Sequence, residues 1–290
     1  MFTSWLFAAG RAALLTSLAL AQQPQTQVLD ASTGAPVPFA SIGVKCKPVG
    51  TVADAAGRFA PQTLLAAAQP ADTVLVSCVG YAPQKLLLRE LTDRPTLRLT
   101  PLTHTLGNVR VRAGTWQRRR VGYEGWFSLT HYNFYGRSDV EPARKLGREV
   151  GTILHLRPES ELEDVHFFIG QNTFRGVRLR LNVRVLDADH NPAASLLTQD
   201  VHYQLPDGAR GWQHLDLRPY HIQTGAHERV AVTLEWLDGA PDPSRDWQLL
   251  LMPAPLNPLY RLVYRDKSAD KWQSLRASLS LYVTAVSPRG

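Results

Sequence analysis

The residues whose types could support hydrolytic chemistry are the nine histidines and the carboxylates near them. A zinc peptidase site needs His and Glu at a fixed spacing, because their side chains must share one metal ion. No His in the chain has a Glu three residues later, and His227–Ala231 departs from the HExxH pattern at its fifth position. The chain also has no GxSxG elbow, no P-loop, no GxGxxG after a strand and no CxxC pair. We therefore predict no catalytic residues and no enzymatic activity.

A second candidate for chemistry is a calcium loop. Asp187, Asp189 and Asn191 have the 1-3-5 oxygen spacing of such a loop. The sixth position, however, is Pro192 where a calcium loop needs Gly, and the twelfth is Thr198 where it needs Glu. A polar hairpin turn explains these residues better. We predict no metal site and no cofactor.

A run of aromatic residues interleaved with Arg is the remaining candidate for ligand contacts. Exposed rings beside polar groups stack on sugars or form an interface with a protein partner. The alternative is that this segment wraps around a second domain and buries its rings, which the irregular spacing of the aromatics favours. The candidate contact residues are Trp116, Tyr123, Trp126, Tyr132 and Tyr135.

The chain has a formal net charge of +7, and Arg supplies most of the positive charge. The basic residues are spread along the chain, and one short cluster occurs at Arg118–Arg120. A short basic run is usually a solvated face or a loop, so we predict no nucleic-acid partner. Contact with an anionic lipid or polysaccharide stays an alternative.

The first residues predict export. The apolar run Ala12–Ala21 ends in Ala-Leu-Ala, with small residues at the −3 and −1 positions of a cleavage before Gln22. Its length suits the core of a signal peptide and falls short of the roughly 20 residues that span a bilayer. We predict a signal peptide over residues 1–21, no transmembrane segment, and a periplasmic, outer-membrane-associated or secreted protein.

The rest of the chain reads as short strands separated by turn residues. Alternation of apolar and polar residues recurs at 39–46, 72–79, 95–99, 108–112, 177–186, 229–237, 247–252 and 277–286. This pattern predicts an all-β fold of sandwiches, and the length suggests two domains. Periodicity stops near Ala113. We expect one sandwich over 22–112, an aromatic and basic connector over 113–146, and a second sandwich over 147–290.

The two cysteines, Cys46 and Cys78, share strand faces with apolar residues two and four positions before them. This parity predicts that both point inward. The sequence leaves two alternatives open, a disulfide between them or two buried free thiols, because it does not show whether their Cα atoms approach within about 7 Å.

Four segments of the first half occur in a family-specific order. The chain reads VLDASTGAPVPFASIGV, then GTVADAAGRFAP, then DTVLVSCVGYAPQKLLL, then PTLRLTPLTHTLGNVRV. Together they resemble the carboxypeptidase-regulatory-like domain of Bacteroidetes envelope proteins, although Ala55-Ala56 replace more polar residues of its hairpin turn. The resemblance implies a transthyretin-like or Ig-like sandwich of seven strands with no catalytic role.

The motif residues behind this resemblance are structural. They are Asp54, Gly57, Phe59, Ser77, Gly80 and Tyr81. Gly57 suits a hairpin reversal that needs positive φ, and Phe59 can pack inward from the return strand. We expect Tyr81 to lay its ring over the core and keep its hydroxyl in water.

The segment from Gly147 to Leu237 resembles an uncharacterised β-rich region that often follows this domain, and it predicts a jelly-roll-like sandwich. Export, β-architecture and the missing catalytic motifs predict a non-catalytic structural or protein-interaction module of the bacterial cell envelope. One alternative is a carbohydrate-binding module, and another is an unrecognised hydrolase. The expected partner is an envelope protein or a glycan.

Overall fold

The computed structural model describes residues 25–102, 115–135 and 145–289. The predicted signal peptide, the strand predicted at 108–112 and the boundary at Ala113 lie outside the described residues. Among the described residues, strands account for most of the secondary structure, and helices are limited to single turns. The all-β fold predicted from the sequence is confirmed.

The first half forms seven strands in two sheets. These strands are β1 Thr26–Asp30, β2 Ser41–Val44, β3 Gly50–Val52, β4 Arg58–Phe59, β5 Thr73–Ser77, β6 Gln84–Leu87 and β7 Thr96–Leu99. The first sheet has the order β4-β1-β7, with β1 and β7 parallel, and the second has the order β3-β2-β5-β6. A helical turn, α1 Gln62–Leu65, and a 3₁₀ turn, Leu88–Leu91, connect strands.

Alternation along the strands fills the core of this first sandwich. Val74 and Val76 of β5 are fully buried, whereas the three alternate residues of the strand are only half-buried. They join Ile42 of β2, Phe59 of β4 and Leu97 of β7 in one apolar cluster. Because each strand contributes one face, the two sheets bury a shared interior.

One carboxylate closes the hairpin motif by accepting two backbone hydrogen bonds. Asp54 Oδ1 accepts the backbone N–H groups of Ala56 and Arg58, each at 2.8 Å. Gly57 between them has φ +70°, and a Cβ there would lie 2.6 Å from the carbonyl oxygen of Val28. Both the backbone conformation and the space therefore require glycine at this turn.

The second motif packs on the same core. Ser77 ends β5 opposite Ser41, and Gly80 has φ +85°. The ring of Tyr81 packs against the cluster, and its hydroxyl donates to Asp30 Oδ2 at 3.0 Å. Partial burial, with help from this carboxylate, raises the pKa of Tyr81 to about 12. The hydroxyl therefore joins the end of β1 to the segment after β5 by a hydrogen bond that the sequence did not predict.

The second half forms a larger sandwich. Its strands are β8 Trp116–Gly122, β9 His131–Asn133, β10 Glu149–His155, β11 Glu161–Ile169, β12 Gln171–Asn172, β13 Phe174–Leu186, β14 Pro192–Ser195, β15 Val201–Gln204, β16 Gly211–Asp216, β17 Arg229–Pro241, β18 Leu250–Pro253, β19 Arg261–Arg265, β20 Gln273–Leu275 and β21 Leu281–Pro288. A 3₁₀ turn spans Arg218–Tyr220.

Three sheets build this sandwich. The largest has the order β14-β13-β17-β10-β19-β20, with β15 also paired to β13. The four-stranded sheet β16-β11-β21-β8 is its main opposite layer, and the short sheet β12-β18-β9 adds a third group of strands. Inward residues such as Phe167, Leu181, Trp236 and Val283 share one buried cluster. Strand β8 lies within the segment expected to be an irregular connector, and it pairs along its whole length with β21.

The two sandwiches touch through a buried polar network around Arg180 on β13. Within the second sandwich, its guanidinium donates to Asp200 at 2.6 and 2.9 Å and to Glu235 at 3.0 Å. It also donates to two groups of the first sandwich, Ser41 Oγ at 3.0 Å and the Phe39 carbonyl at 2.7 Å. Burial alone would raise the pKa of Asp200, but the Arg180 charge holds it well below its usual range. The network therefore connects the halves through paired charges.

Close backbone approach also defines this contact. A Cβ at Gly43 would lie 2.7 Å from the backbone nitrogen of Ala269, and the Cys46 N–H donates to the Ala269 carbonyl at 2.9 Å. Lys267 packs beside Gly50 and donates from Nζ to the Leu146 carbonyl at 2.5 Å. A larger side chain at Gly43 would push the two sandwiches apart.

Candidate aromatic binding face

The outer face of the sheet β16-β11-β21-β8 carries the most distinctive group of side chains. Along β11, Val165, Phe167 and Ile169 point into the core, so the intervening residues point outward. The neighbouring strands add their own outward residues at the paired positions. We call this surface the aromatic face, and it consists of Trp126, His166, Phe168, Trp212, His214 and Tyr282.

The rings of the aromatic face contact one another in a continuous series. Trp126 lies 6.4 Å from Phe168, Phe168 lies 5.4 Å from Trp212, and Trp212 lies 5.2 Å from Tyr282, all measured between ring centroids. His166 then stacks on Tyr282 at 4.6 Å with an interplanar angle of 7°. Such contacts fix the ring orientations, so the face is a preformed surface.

One edge of the face is an exposed apolar loop. The side chains of Trp126, Phe127 and Leu129 are 61%, 65% and 89% exposed. Thr130 ties the end of this loop to the second sandwich, since its Oγ1 donates to the Ala254 carbonyl at 2.6 Å. Several large apolar residues exposed together mark a binding surface more often than scattered ones do.

The other edge of the face is polar. His166 Nε2 lies 3.2 Å from Asp164 Oδ1, and the ring centroid of His214 lies 4.7 Å from that of His166. The guanidinium of Arg120 sits 5.5 Å above the Tyr282 ring. Partial burial lowers the pKa of His166, although Asp164 opposes this effect.

The structure separates the five aromatic residues proposed from the sequence. Trp126 is exposed on the aromatic face, and Trp116 and Tyr123 are half-buried at the ends of β8. Tyr135 packs against Phe174 in the core, so it cannot contact a ligand. Tyr132 lies between Phe134 and Tyr264, and burial raises its pKa far above the usual range.

The burial of Tyr132 and Tyr135 has a simple physical cause. Strand β9 pairs with β18, and Leu250 and Met252 of β18 are fully buried. Tyr135 is therefore placed in the core, away from any ligand, whereas Tyr132 is half-buried and its contact with a ligand stays a prediction. The ring series on β11, β16 and β21 was missed, and the outward parity of Phe168 with His166 could have indicated it.

The cysteines differ from the predicted inward pair. Both are free, and Cys46 is exposed with φ +59°. Strand β2 ends at Val44, and the chain turns so that the Lys47 N–H donates to the Val44 carbonyl at 3.1 Å. Strand parity therefore no longer applies at Cys46. Cys78 is half-buried, and burial raises the pKa of its thiol to about 12.

A separate recess of about 540 Å³ opens on the opposite sheet. Arg229, Arg261 and Arg276 line it together with His155, and no carboxylate belongs to its described lining. Arg229 approaches His190 at 3.4 Å. The recess is a positively charged surface.

Two further groups that could suggest chemistry are structural. The carboxylate of Glu149 is fully buried and accepts from Arg265 at 2.6 Å and from Thr233 at 2.5 Å. Burial alone would raise the pKa of Glu149, but Arg265 more than offsets this and the pKa lies at about 2. Asp187 Oδ1 accepts the Asn191 N–H at 2.8 Å and so closes the hairpin between β13 and β14.

The first sandwich is similar to a known domain family. Its strands β1–β7 fall within residues 26–111, which match the CarboxypepD_reg-like domain. These residues are a domain of that family. Domains of this family are non-catalytic β-sandwiches, in agreement with the structural roles of Asp54, Gly57 and Tyr81. The match ends before β8.

No curated protein and no solved structure matches the chain. Within the three described ranges, no helix has the length and apolar character needed to cross a membrane.

Proposed function

We propose that this protein is an exported, non-catalytic binding module of the bacterial cell envelope, and that the aromatic face contacts its ligand. The observation that carries this proposal is the continuous ring series from Trp126 to Tyr282 on the outer face of the sheet β16-β11-β21-β8. The CarboxypepD_reg-like domain supports the second sandwich through the Arg180 network. Export is supported by the apolar run Ala12–Ala21 and its Ala-Leu-Ala end.

Carbohydrate is the ligand class that this face fits best. Sugars combine apolar ring faces with many hydroxyl groups, so their sites pair aromatic rings with hydrogen-bonding side chains. Trp126 and Trp212 supply the exposed rings. Asp164, His214 and Arg120 supply acceptors and donors beside them.

The face offers little support for hydrolysis. Glycoside hydrolysis uses two carboxyl groups that flank the scissile bond at a set distance. The buried carboxylates Glu149 and Glu235 are already engaged by Arg265 and Arg180. Asp164 lines a recess of about 340 Å³ beside Arg118–Arg120 and His166, and no second carboxylate belongs to its described lining.

A protein partner is the second candidate, and the exposed loop favours it. Trp126, Phe127 and Leu129 are adjacent, mostly apolar and largely exposed. Anchors of this type often supply most of the binding energy of a protein interface. Such a partner would use the loop and would not need the polar edge at Asp164 and His214.

A glycan array with the mature chain tests the carbohydrate proposal. We expect binding to at least one glycan, and a loss of about tenfold or more in affinity for Trp126→Ala and Trp212→Ala, since stacking contacts of this kind are worth 1–2 kcal/mol. Trp247→Ala is the matched control, because Trp247 is 44% exposed but does not belong to the aromatic face. Absence of binding to every glycan would overturn the carbohydrate assignment.

Export has its own test. We expect the protein expressed in a bacterial host to be recovered outside the cytoplasm with Gln22 as its first residue, measured by N-terminal sequencing. Recovery of the uncut chain from the cytoplasm would contradict export and leave the glycan result unaffected.

A further inference from the structure

Three metal-binding side chains meet at the polar edge of the aromatic face. His166 on β11 and His214 on β16 are paired directly across the two strands, and Asp164 lies two residues before His166 on the same face. One ligand atom from each of the three side chains lies within 4.8 Å of the other two. Strand pairing therefore holds two imidazoles and a carboxylate over one small area.

The carboxylate in this group lies beside an imidazole. Asp164 Oδ1 is shielded from solvent. Its near neighbour is His166 Nε2 at 3.2 Å. Two ligands of a tetrahedral zinc ion with bonds of about 2.0–2.1 Å lie about 3.3 Å apart. The two atoms thus have the separation expected of ligands that share a cation.

We propose that Asp164, His166 and His214 bind a divalent transition-metal ion, and Zn²⁺ is the ion that their ligand types favour. Two His and one carboxylate form a recognised set of three protein ligands for zinc, with further positions open to water or ligand. The ring of His166 is held by its stacking on Tyr282. His214 is exposed, so its side chain can turn to bring its nitrogen closer to the other two ligands.

The neighbouring positive charges do not block this site. Arg118 pairs with Glu163 at 2.6 Å, and Arg120 pairs with Glu124 at 3.1 Å. These carboxylates offset two of the three guanidinium charges that line the recess beside Asp164 and His166, and Arg119 carries the third. A bound cation on this edge would also give a sugar hydroxyl or a carboxylate a direct ligand position, although metal binding does not depend on the proposed function.

Calorimetric titration with ZnCl₂ alone tests the site. The protein is the mature chain without a polyhistidine tag, carrying Cys46→Ser to remove the exposed thiol, and stripped of metal with a chelator. We expect one equivalent of Zn²⁺ to bind and to raise the melting temperature. Asp164→Asn, His166→Gln and His214→Gln should each weaken binding by about tenfold or more, because each removes a direct ligand.

His227→Gln is the matched control, because His227 is exposed and lies outside the group. It should bind zinc like the parent chain. His214→Gln changes an exposed residue, so its melting temperature without metal should stay at the parent value, which separates loss of binding from loss of folding. The proposal is overturned if the parent chain binds no Zn²⁺, or if His214→Gln binds it unchanged.

Discussion

The buried Arg180 network predicts a large and specific loss of stability. Arg180→Met removes hydrogen bonds to Asp200, Glu235, Ser41 and the Phe39 carbonyl, and Arg180 is 2% exposed. It leaves the buried carboxylate of Glu235 without its cation, whereas Asp200 is 20% exposed and keeps His202 at 2.9 Å. Breaking a buried pair by removing one partner costs about 3–5 kcal/mol in the free energy of unfolding, because the remaining charge is uncompensated. The Met side chain fills most of the vacated volume, so packing adds little.

The corresponding fall in melting temperature is measurable by calorimetry. At about 2–4 °C for each kcal/mol in a chain of this size, the loss is about 6–20 °C. Arg175→Met is the control on the same strand, since its pair with Asp242 is exposed and such pairs contribute about 0–1 kcal/mol. We expect the control to melt within about 4 °C of the parent.

A second substitution checks the cause. If the loss comes from uncompensated charge, the double variant Arg180→Met, Glu235→Gln should melt at a higher temperature than Arg180→Met alone. A fall of less than about 4 °C in the single variant, or a further fall in the double variant, would refute the assignment of the network as the main link between the sandwiches.

Two other predictions concern buried titratable groups. Burial lowers the pKa of Lys267 to about 7. The unfolded chain binds this proton more tightly than the folded chain, so the free energy of unfolding should rise between about pH 7 and 10. Urea titrations at several pH values should show a smaller rise for Lys267→Met. Equal pH dependence of stability in the two proteins would contradict the assignment of this rise to Lys267. Alkylation of the native chain without reductant should modify Cys46 rapidly and Cys78 slowly. The reason is that Cys78 is half-buried and its thiol has a pKa of about 12. Mass spectrometry measures both reactions, and a mass that shows a disulfide would contradict the free thiols.

Local patterns were enough to predict several of the long strands, because alternation follows directly from burying one face. The predicted runs at 72–79 and 229–237 correspond to β5 and β17, and the Gly57 turn was placed correctly. Cys46 was misplaced, because a chain reversal one residue after β2 is not visible in parity. Strand β8 was missed, since Arg118 and Arg120 face solvent on an edge strand and show little hydrophobic alternation.

The aromatic face could not be predicted in the same way. Its members come from the loop at Trp126, from β11, from β16 and from β21, which are distant in sequence. Sequence parity can indicate that Phe168 and His166 share one side of a strand. It does not indicate that His214 is the residue directly opposite His166, because that depends on which strands pair and in which register.

The position of β21 in its sheet has a consequence for how the protein folds during synthesis. Strand β21 lies between β11 and β8, and it is the last strand along the described chain. The CarboxypepD_reg-like domain can fold while later residues are still being made, since domains fold as units from the N-terminus. The aromatic face, in contrast, cannot assemble until residues 281–288 are available. Until then β8 and β11 lack the partner between them, so each presents an unpaired edge that a chaperone would have to protect.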